Sequence, residues 1–252
     1  SYSSSAYIKC ILRRLESAGL CGVVMHFRGC SGALNRLPRS YHAGDTIDLS
    51  HVMNHITASV KLDPFAIIGY SLGGNVLLKW LGENNPSYLK TAVAVSVPFD
   101  LSASADILNR GISKGYQWYL IKSMRKKFNE KFKKIDPVLF FDKRLRLNTF
   151  RNFDDAITAP LHGFSSADEY YEKSSCTPYL ARITIETLII HATDDPFLPA
   201  SAIPDRGILS DKIFLELTKY GGHVGFVGIS GAGSLHYWLD DRIMCHLTKY
   251  LR

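Results

Sequence analysis

Phe65-Ala-Ile-Ile-Gly-Tyr-Ser71-Leu-Gly-Gly-Asn-Val-Leu-Leu-Lys-Trp80 is an apolar run that breaks at Gly69 and resumes with helical spacing after Gly73. It reads as strand, sharp turn and helix. Ser71 stands at the turn with a glycine two residues to either side, the G-x-S-x-G pattern that holds a serine on a strained strand-to-helix corner with its hydroxyl above the sheet. A side chain at Gly69 or Gly73 is expected to crowd the neighbouring strand and helix. The helix that follows aims its N-terminal amides at the serine, and the Leu72 amide is placed to donate to an oxyanion. An ordinary turn in which Ser71 only caps the helix carries the same five residues, so the flanking sequence has to decide.

Upstream, Ala6 to Ser17 has Ile8, Ile11, Leu12 and Leu15 at helical spacing with Gly19 as a stop. Val23 to Phe27 reads as a buried strand leading into the glycine loop Arg28 to Gly32, and 45–61 as a helix with Ile47, Val52, Ile56 and Val60 toward the core. Pro64 precedes the Ser71 strand. Downstream, Thr91 to Ser96, Thr187 to Ala192 and Ile213 to Leu217 read as further strands, and Leu235 to Leu251 as a closing amphipathic helix. Apolar strands alternating with helices predict an α/β fold, a mostly parallel sheet covered on both faces.

A serine nucleophile needs a base to take its proton and a carboxylate to orient that base. Both follow in the order this fold class uses. Asp194 and Asp195 lie just past the strand ending at Ala192, and His223 lies in the glycine-rich loop past the next strand. Strand ends on one rim are where such sheets place their sites. His51 and His55 stand one helical turn apart without an evident third ligand, so a solvated helix face is expected there, not a metal site. Cys30 reads as a small packed residue.

With 252 residues, 46% of them hydrophobic, the chain suits one α/β domain. We expect a core of 1–98 and 187–252 with a helical cap inserted at about 99–186. Within the cap, Ile121, Met124, Phe128, Phe132 and Ile135 share one helical stripe, while Lys122, Arg125, Lys126, Lys127, Lys131, Lys133 and Lys134 occupy the remainder. The stripe is expected to pack over the sheet and the basic face of 121–135 to meet water or an anionic membrane. The aromatics Tyr116, Trp118, Tyr119, Phe140 and Phe141 suggest an apolar acyl pocket. Cys10, Cys21, Cys30, Cys176 and Cys245 are odd in number and lack CxxC spacing, which argues for a reducing compartment, the cytoplasm, over a disulfide framework or zinc site. No run approaches the roughly 20 apolar residues of a membrane span. The net charge of +7 comes with no nucleic-acid recognition motif, so no nucleic-acid partner is expected.

The chain resembles the YheT-like branch of the α/β-hydrolase superfamily, relatives of plant embryogenesis-associated hydrolases and of animal acylglycerol lipases and phospholipases. The resemblance lies in Phe27-Arg-Gly-Cys-Ser-Gly32, Asn35-Arg36, Tyr41-His-Ala-Gly44, Gly69-Tyr-Ser-Leu-Gly-Gly-Asn75, Ala159-Pro-Leu-His-Gly-Phe164, Asp194-Asp-Pro-Phe197 and Gly221-Gly-His-Val-Gly-Phe226. It implies Ser71 as nucleophile, Asp195 as orienting acid and His223 as general base. Asp194 competes for the acid role; related hydrolases place the acid four residues before a proline, as Asp195 stands to Pro199, which leaves Asp194 to brace the loop. His42 and His162 fall in family motifs where loop bracing is the expected role.

Two departures matter. Members of the family begin with further strands and a His-Gly loop that supplies a second oxyanion amide. That segment has no counterpart here, and the expectation is an N-terminally truncated chain with a gap between the 23–27 strand and the Ser71 strand. His26 stands where the family often has asparagine, which bears on local loop hydrogen bonding. The expected activity is hydrolysis of acyl esters, carboxylesterase- or lipase-like, with no metal or organic cofactor. The competing reading is a catalytically silent protein of this fold that binds a lipid or a partner.

Overall fold

The computed structural model describes residues 5–60, 65–134, 146–229, 233 and 235–251. Lys61, Pro64, Ile135, Phe140 and Phe141 fall outside the described residues. In chain order the elements are α1 (Ala6–Ser17), α2 (Thr46–Ser59), β1 (Phe65–Tyr70), α3 (Leu72–Asn84), β2 (Leu89–Val95), α4 (Leu101–Ile107), α5 (Ser113–Phe132), α6 (Phe150–Phe153), α7 (Ala159–Leu161), α8 (Ala167–Ser174), β3 (Glu186–Ala192), β4 (Ile213–Thr218), β5 (Val227–Ile229), β6 (Leu235–Tyr237) and α9 (Trp238–Tyr250). A π-helical turn, Asp154–Thr158, joins α6 to α7.

Strands β1 to β4 form one sheet in the order β1-β2-β3-β4, every pair parallel. The strands alternate their apolar residues between two cores, as a sheet buried on both faces requires. Ala92, Ala94 and Ile189 pack with Leu49 and Met53 of α2 and Val76, Leu77 and Leu81 of α3. Val93, Val95, Leu188 and Ile190 turn the other way onto Ile11 of α1 and Leu239, Ile243 and Leu247 of α9. This stacking sets the C-terminal ends of all four strands on one rim.

Four sequence expectations are corrected. Residues 21–27 form no strand, because β1 is the outer strand and no described strand offers them a ladder; Met25 and Phe27 pack against the α2–α3 core instead. On α2 the buried face is Thr46, Leu49 and Met53, while Ile47 and Val60 are exposed. That face follows i, i+3, i+7 from Thr46, a polar starting point that a search for apolar residues passes over. The closing helix starts at Trp238, with Asp240 and Asp241 in its first turn, where acidic side chains suit the helix dipole. Leu235–Tyr237 pairs antiparallel with Val227–Ile229.

The fourth correction concerns α5. Its stripe packs among the insertion helices, Ile121 with Phe153 and Ile157 and then Met124 and Phe128, not over the sheet. Lys122, Arg125, Lys126, Lys133 and Lys134 are exposed, but Lys131 is buried, its ammonium donating to Pro38 O at 2.6 Å, Arg39 O at 2.8 Å and Ser40 Oγ at 3.1 Å. A long lysine stem lets a residue that reads as solvent-facing reach across to a strip of backbone.

Asn75 ties the layers together. Fully buried on α3, it donates to Ala43 O and Ser174 O at 2.9 Å each and accepts from Cys176 N at 2.9 Å. Asn75→Leu would leave three buried backbone groups without partners, and we expect a loss of about 3 kcal/mol in urea unfolding at nearly unchanged slope. A loss below about 1 kcal/mol would contradict this role.

Among the described residues no helix is long and apolar enough to cross a membrane.

Candidate active site

The turn between β1 and α3 places Ser71 in the left-handed region, φ 51° and ψ −121°. For a non-glycine residue such a conformation costs on the order of 1–3 kcal/mol, so the surroundings must impose it. They do so from both sides: Ser71 N donates to Val95 O at 2.8 Å, and Ser71 O accepts from Gly74 N at 2.8 Å and Asn75 N at 3.2 Å. The strand and helix can meet this closely because of Gly69, where an added Cβ would lie 2.5 Å from Gly73 O and 2.9 Å from the Gly74 Cα. Backbone cannot swing aside as a side chain can. Gly69→Ala is therefore expected to cost about 3 kcal/mol of stability, read as a lowered thermal midpoint. The expectation of crowding at Gly73 is corrected: an added Cβ there meets nothing within 4 Å, since the close contact at Gly73 is made by its backbone.

Asp194 and Asp195 follow β3 and His223 follows β4, so both loops leave the same rim as Ser71. The structure brings three of these side chains into one chain of hydrogen bonds. His223 Nδ1 lies 2.8 Å from Asp195 Oδ2, and His223 Nε2 lies 2.9 Å from Ser71 Oγ. A carboxylate can only accept, so the proton sits on Nδ1 and Nε2 is left to accept from the Ser71 hydroxyl. The Asp195 side chain is 0% exposed, and its Oδ1 accepts from Phe197 N at 2.9 Å. Asp194 instead accepts from Gly222 N at 2.8 Å, bracing the loop that carries His223. Leu72, the first residue of α3, lines the same cavity as Ser71 and His223.

That cavity, about 440 Å³, lies between the strand ends and the helices inserted between β2 and β3. Tyr116 and Tyr119 line it as expected; Trp118 points outward, 62% exposed. The Phe197 ring stands 5.0 Å from the His223 ring, and Tyr116 stacks on Phe197 at 4.0 Å. Cys30 is buried and also lines the cavity. His42 and His162 brace loops there: His42 Nδ1 accepts from Gly44 N at 3.2 Å, and the two His162 nitrogens face Thr158 O at 2.7 Å and Ser40 O at 2.8 Å. Burial, with cationic neighbours adding to it, lowers the His42 pKa to about 3. His51 and His55 are exposed on α2, and no cluster able to hold a metal ion exists among the described residues. His26 Nδ1 is buried with no partner among the described residues.

Residues 2–227 match the family model described as alpha/beta hydrolase fold. The chain is also 40% identical over 254 residues to "Putative esterase YheT" of Escherichia coli, covering 98% of this chain and 74% of that protein. The chain belongs to the alpha/beta hydrolase fold family. Its place within that family is on the YheT-like branch. It is 30% identical to embryogenesis-associated protein EMB8 of Picea glauca and 29% identical to human phospholipase ABHD3, covering 97% and 89% of this chain but only 55% and 56% of those proteins. The esterase Pf2001 of Pyrococcus furiosus superposes with a TM-score of 0.60 at 14% identity, covering 100% of this chain and 80% of that structure, a likeness of fold alone.

Within this hydrolase fold, one positioning residue and one buried imidazole escaped sequence reasoning. Ser96, at the end of β2, is fully buried with φ 50°, and its Oγ accepts from Val224 N at 3.1 Å, holding the residue next to His223. A serine ending a strand gives no such signal, because its partner is 128 residues away. His191 on β3 is buried with neither ring nitrogen partnered among the described residues, and burial lowers its pKa. An apolar run read as a strand does not reveal an imidazole held neutral inside it.

Proposed function

We propose that the chain is a serine hydrolase that cleaves carboxylic (acyl) esters through an acyl-enzyme. The observation that carries this reading is the Ser71–His223–Asp195 hydrogen-bond chain opening onto a largely apolar cavity. The names of the relatives, esterase and phospholipase, support the same chemistry.

Ser71 Oγ attacks the acyl carbonyl carbon while His223 Nε2 takes the hydroxyl proton. Negative charge that develops on the carbonyl oxygen is met by the Leu72 amide at the positive end of α3. Collapse of this intermediate breaks the bond to the alcohol, which leaves with the proton from Nε2. Water then gives a proton to Nε2 and attacks the acyl-serine; the carboxylic acid departs, Ser71 recovers its hydrogen from Nε2, and the acid loses its remaining proton to solvent. Asp195 stays ionised throughout and stabilises the transient imidazolium. The helices of the insertion act as the cap that shields the acyl group.

A screen of p-nitrophenyl acyl esters with the folded wild-type chain tests the proposal. Turnover well above the spontaneous rate is expected. Spontaneous release alone would favour the silent, ligand-binding reading.

A second reading concerns where the enzyme works. Five free cysteines suit a reducing compartment, the cytoplasm. Trp118 and Tyr119 are exposed beside the outward lysines of α5, with Lys122 Nζ 4.8 Å from the Trp118 ring centre, and this surface supports peripheral contact with an anionic membrane. Co-sedimentation with phosphatidylglycerol vesicles but not with phosphatidylcholine vesicles is the expected result.

A further inference from the structure

Several polar groups that line the Ser71 cavity are already partnered. Asn35 Nδ2 donates to Leu37 O and Arg39 O, the Thr158 and Tyr171 hydroxyls donate to Asp154, and the Ser104 hydroxyl to Asp100 O. His42, half-buried on the same cavity wall, differs. Gly44 N approaches its Nδ1 at 3.2 Å. A backbone N–H can only donate, so Nδ1 accepts and the uncharged ring carries its proton on Nε2. Among the described residues nothing accepts from that Nε2–H.

The ring is held in place. Its centroid lies 4.6 Å from that of His162, 5.7 Å from that of Phe164 and 5.9 Å from that of Tyr170. Burial lowers its pKa to about 3, with His162, Arg39 and Lys79 adding to the effect and Asp48 opposing it, so the ring stays uncharged from mildly acidic to alkaline pH. Its loop is also tied to the nucleophile. Ala43 O accepts from Asn75 Nδ2 at 2.9 Å, and Asn75 N donates to Ser71 O at 3.2 Å. Leu72 packs against the cluster that contains Ala43. A fixed, uncharged N–H in a largely apolar cavity favours a ligand oxygen over a methylene at the same place, because the methylene leaves the donor unmet.

We propose that His42 is a substrate-binding residue whose Nε2–H donates to an uncharged acceptor oxygen of the ester substrate outside the scissile group, an ether, hydroxyl or carbonyl oxygen. The inference rests on the proposed esterase reading and narrows its substrate to esters that carry such an oxygen.

Calorimetric titration of the full chain with octanoyl butyl amides, which mimic the ester and need no turnover, tests the assignment. The set holds the parent amide, a member with an ether oxygen in place of one methylene of the butyl chain, and members with that oxygen at successive positions along the acyl chain. For at least one ether member, affinity relative to the parent is expected to be about three- to tenfold higher in the wild type than in His42→Phe, which keeps a ring but no donor. His42→Gln, with an N–H at the reach of Nε2, should recover most of the difference. The chain that holds the favoured oxygen assigns the contact to the acyl or the alcohol side. In the wild type the Nε2–H proton resonance of His42 should move downfield with that member and not with the parent, a readout that needs no variant. Relative affinities that match in wild type and His42→Phe for every member overturn the proposal, as does a resonance that no ether member moves. Ether preference in a protein that a fluorophosphonate does not label would instead refute the esterase reading, and labelling without ether preference refutes only the role of His42.

Discussion

Ser71→Ala is expected to lower kcat for a p-nitrophenyl acyl ester by about 10⁴- to 10⁶-fold while leaving the thermal midpoint nearly unchanged. The hydroxyl is the only atom of Ser71 that enters the chemistry. The strained backbone is held by Val95 O and by the first turn of α3, and these hydrogen bonds are made by backbone atoms that alanine retains. In the proposed mechanism what survives the substitution is the Leu72 amide and the cavity, which would still bind the ester but form no covalent intermediate. His223→Ala should fall by a similar factor, and the double variant little further, because nucleophile and base act as one unit. Hydrolysis within about tenfold of wild type in Ser71→Ala would place the chemistry elsewhere.

The second large effect separates two adjacent carboxylates. Asp195→Asn is expected to cost about 10⁴-fold in kcat. With its amide oxygen still accepting from Phe197 N, an asparagine would turn its NH₂ toward His223 Nδ1, where the carboxylate now accepts. Nδ1 must then accept, the ring proton moves to Nε2, and Nε2 can no longer take the Ser71 proton. Asp194→Asn keeps an oxygen able to accept from Gly222 N, so it should change kcat less than about tenfold and stability by about 1 kcal/mol or less. Equal losses in the two variants, measured on one ester under one condition, would undo the assignment of Asp195 as the orienting acid.

The candidate site was legible in the sequence where its residues sit beside local signals. Ser71 announces itself through Gly69 and the apolar runs on either side, and Asp195 and His223 through the strands that precede them. Signals that depend on distant partners were not legible. Residues 23–27 have the composition of a strand, but a strand exists only against a neighbour, and β1 is the outer strand among those described. Lys131 sits in a run of lysines and reads as solvated, yet it is buried against 38–40, about 90 positions earlier in the chain. Ser96 and Asn75 act through partners far away in the chain, Val224 for the one and Ala43 and Ser174 for the other. The buried face of α2 starts from Thr46, so apolar periodicity pointed to the wrong side. Gly69 and Gly73 look equivalent in the motif; only their surroundings show that one meets backbone and the other open space.

That Ser71 is an activated nucleophile is tested most directly by labelling the purified chain with a fluorophosphonate probe beside Ser71→Ala and His223→Ala. Labelling of the wild type alone is the expected result, because the probe needs both the hydroxyl and the base that removes its proton. A folded wild-type protein that takes no label, or labelling that persists in Ser71→Ala, would contradict it.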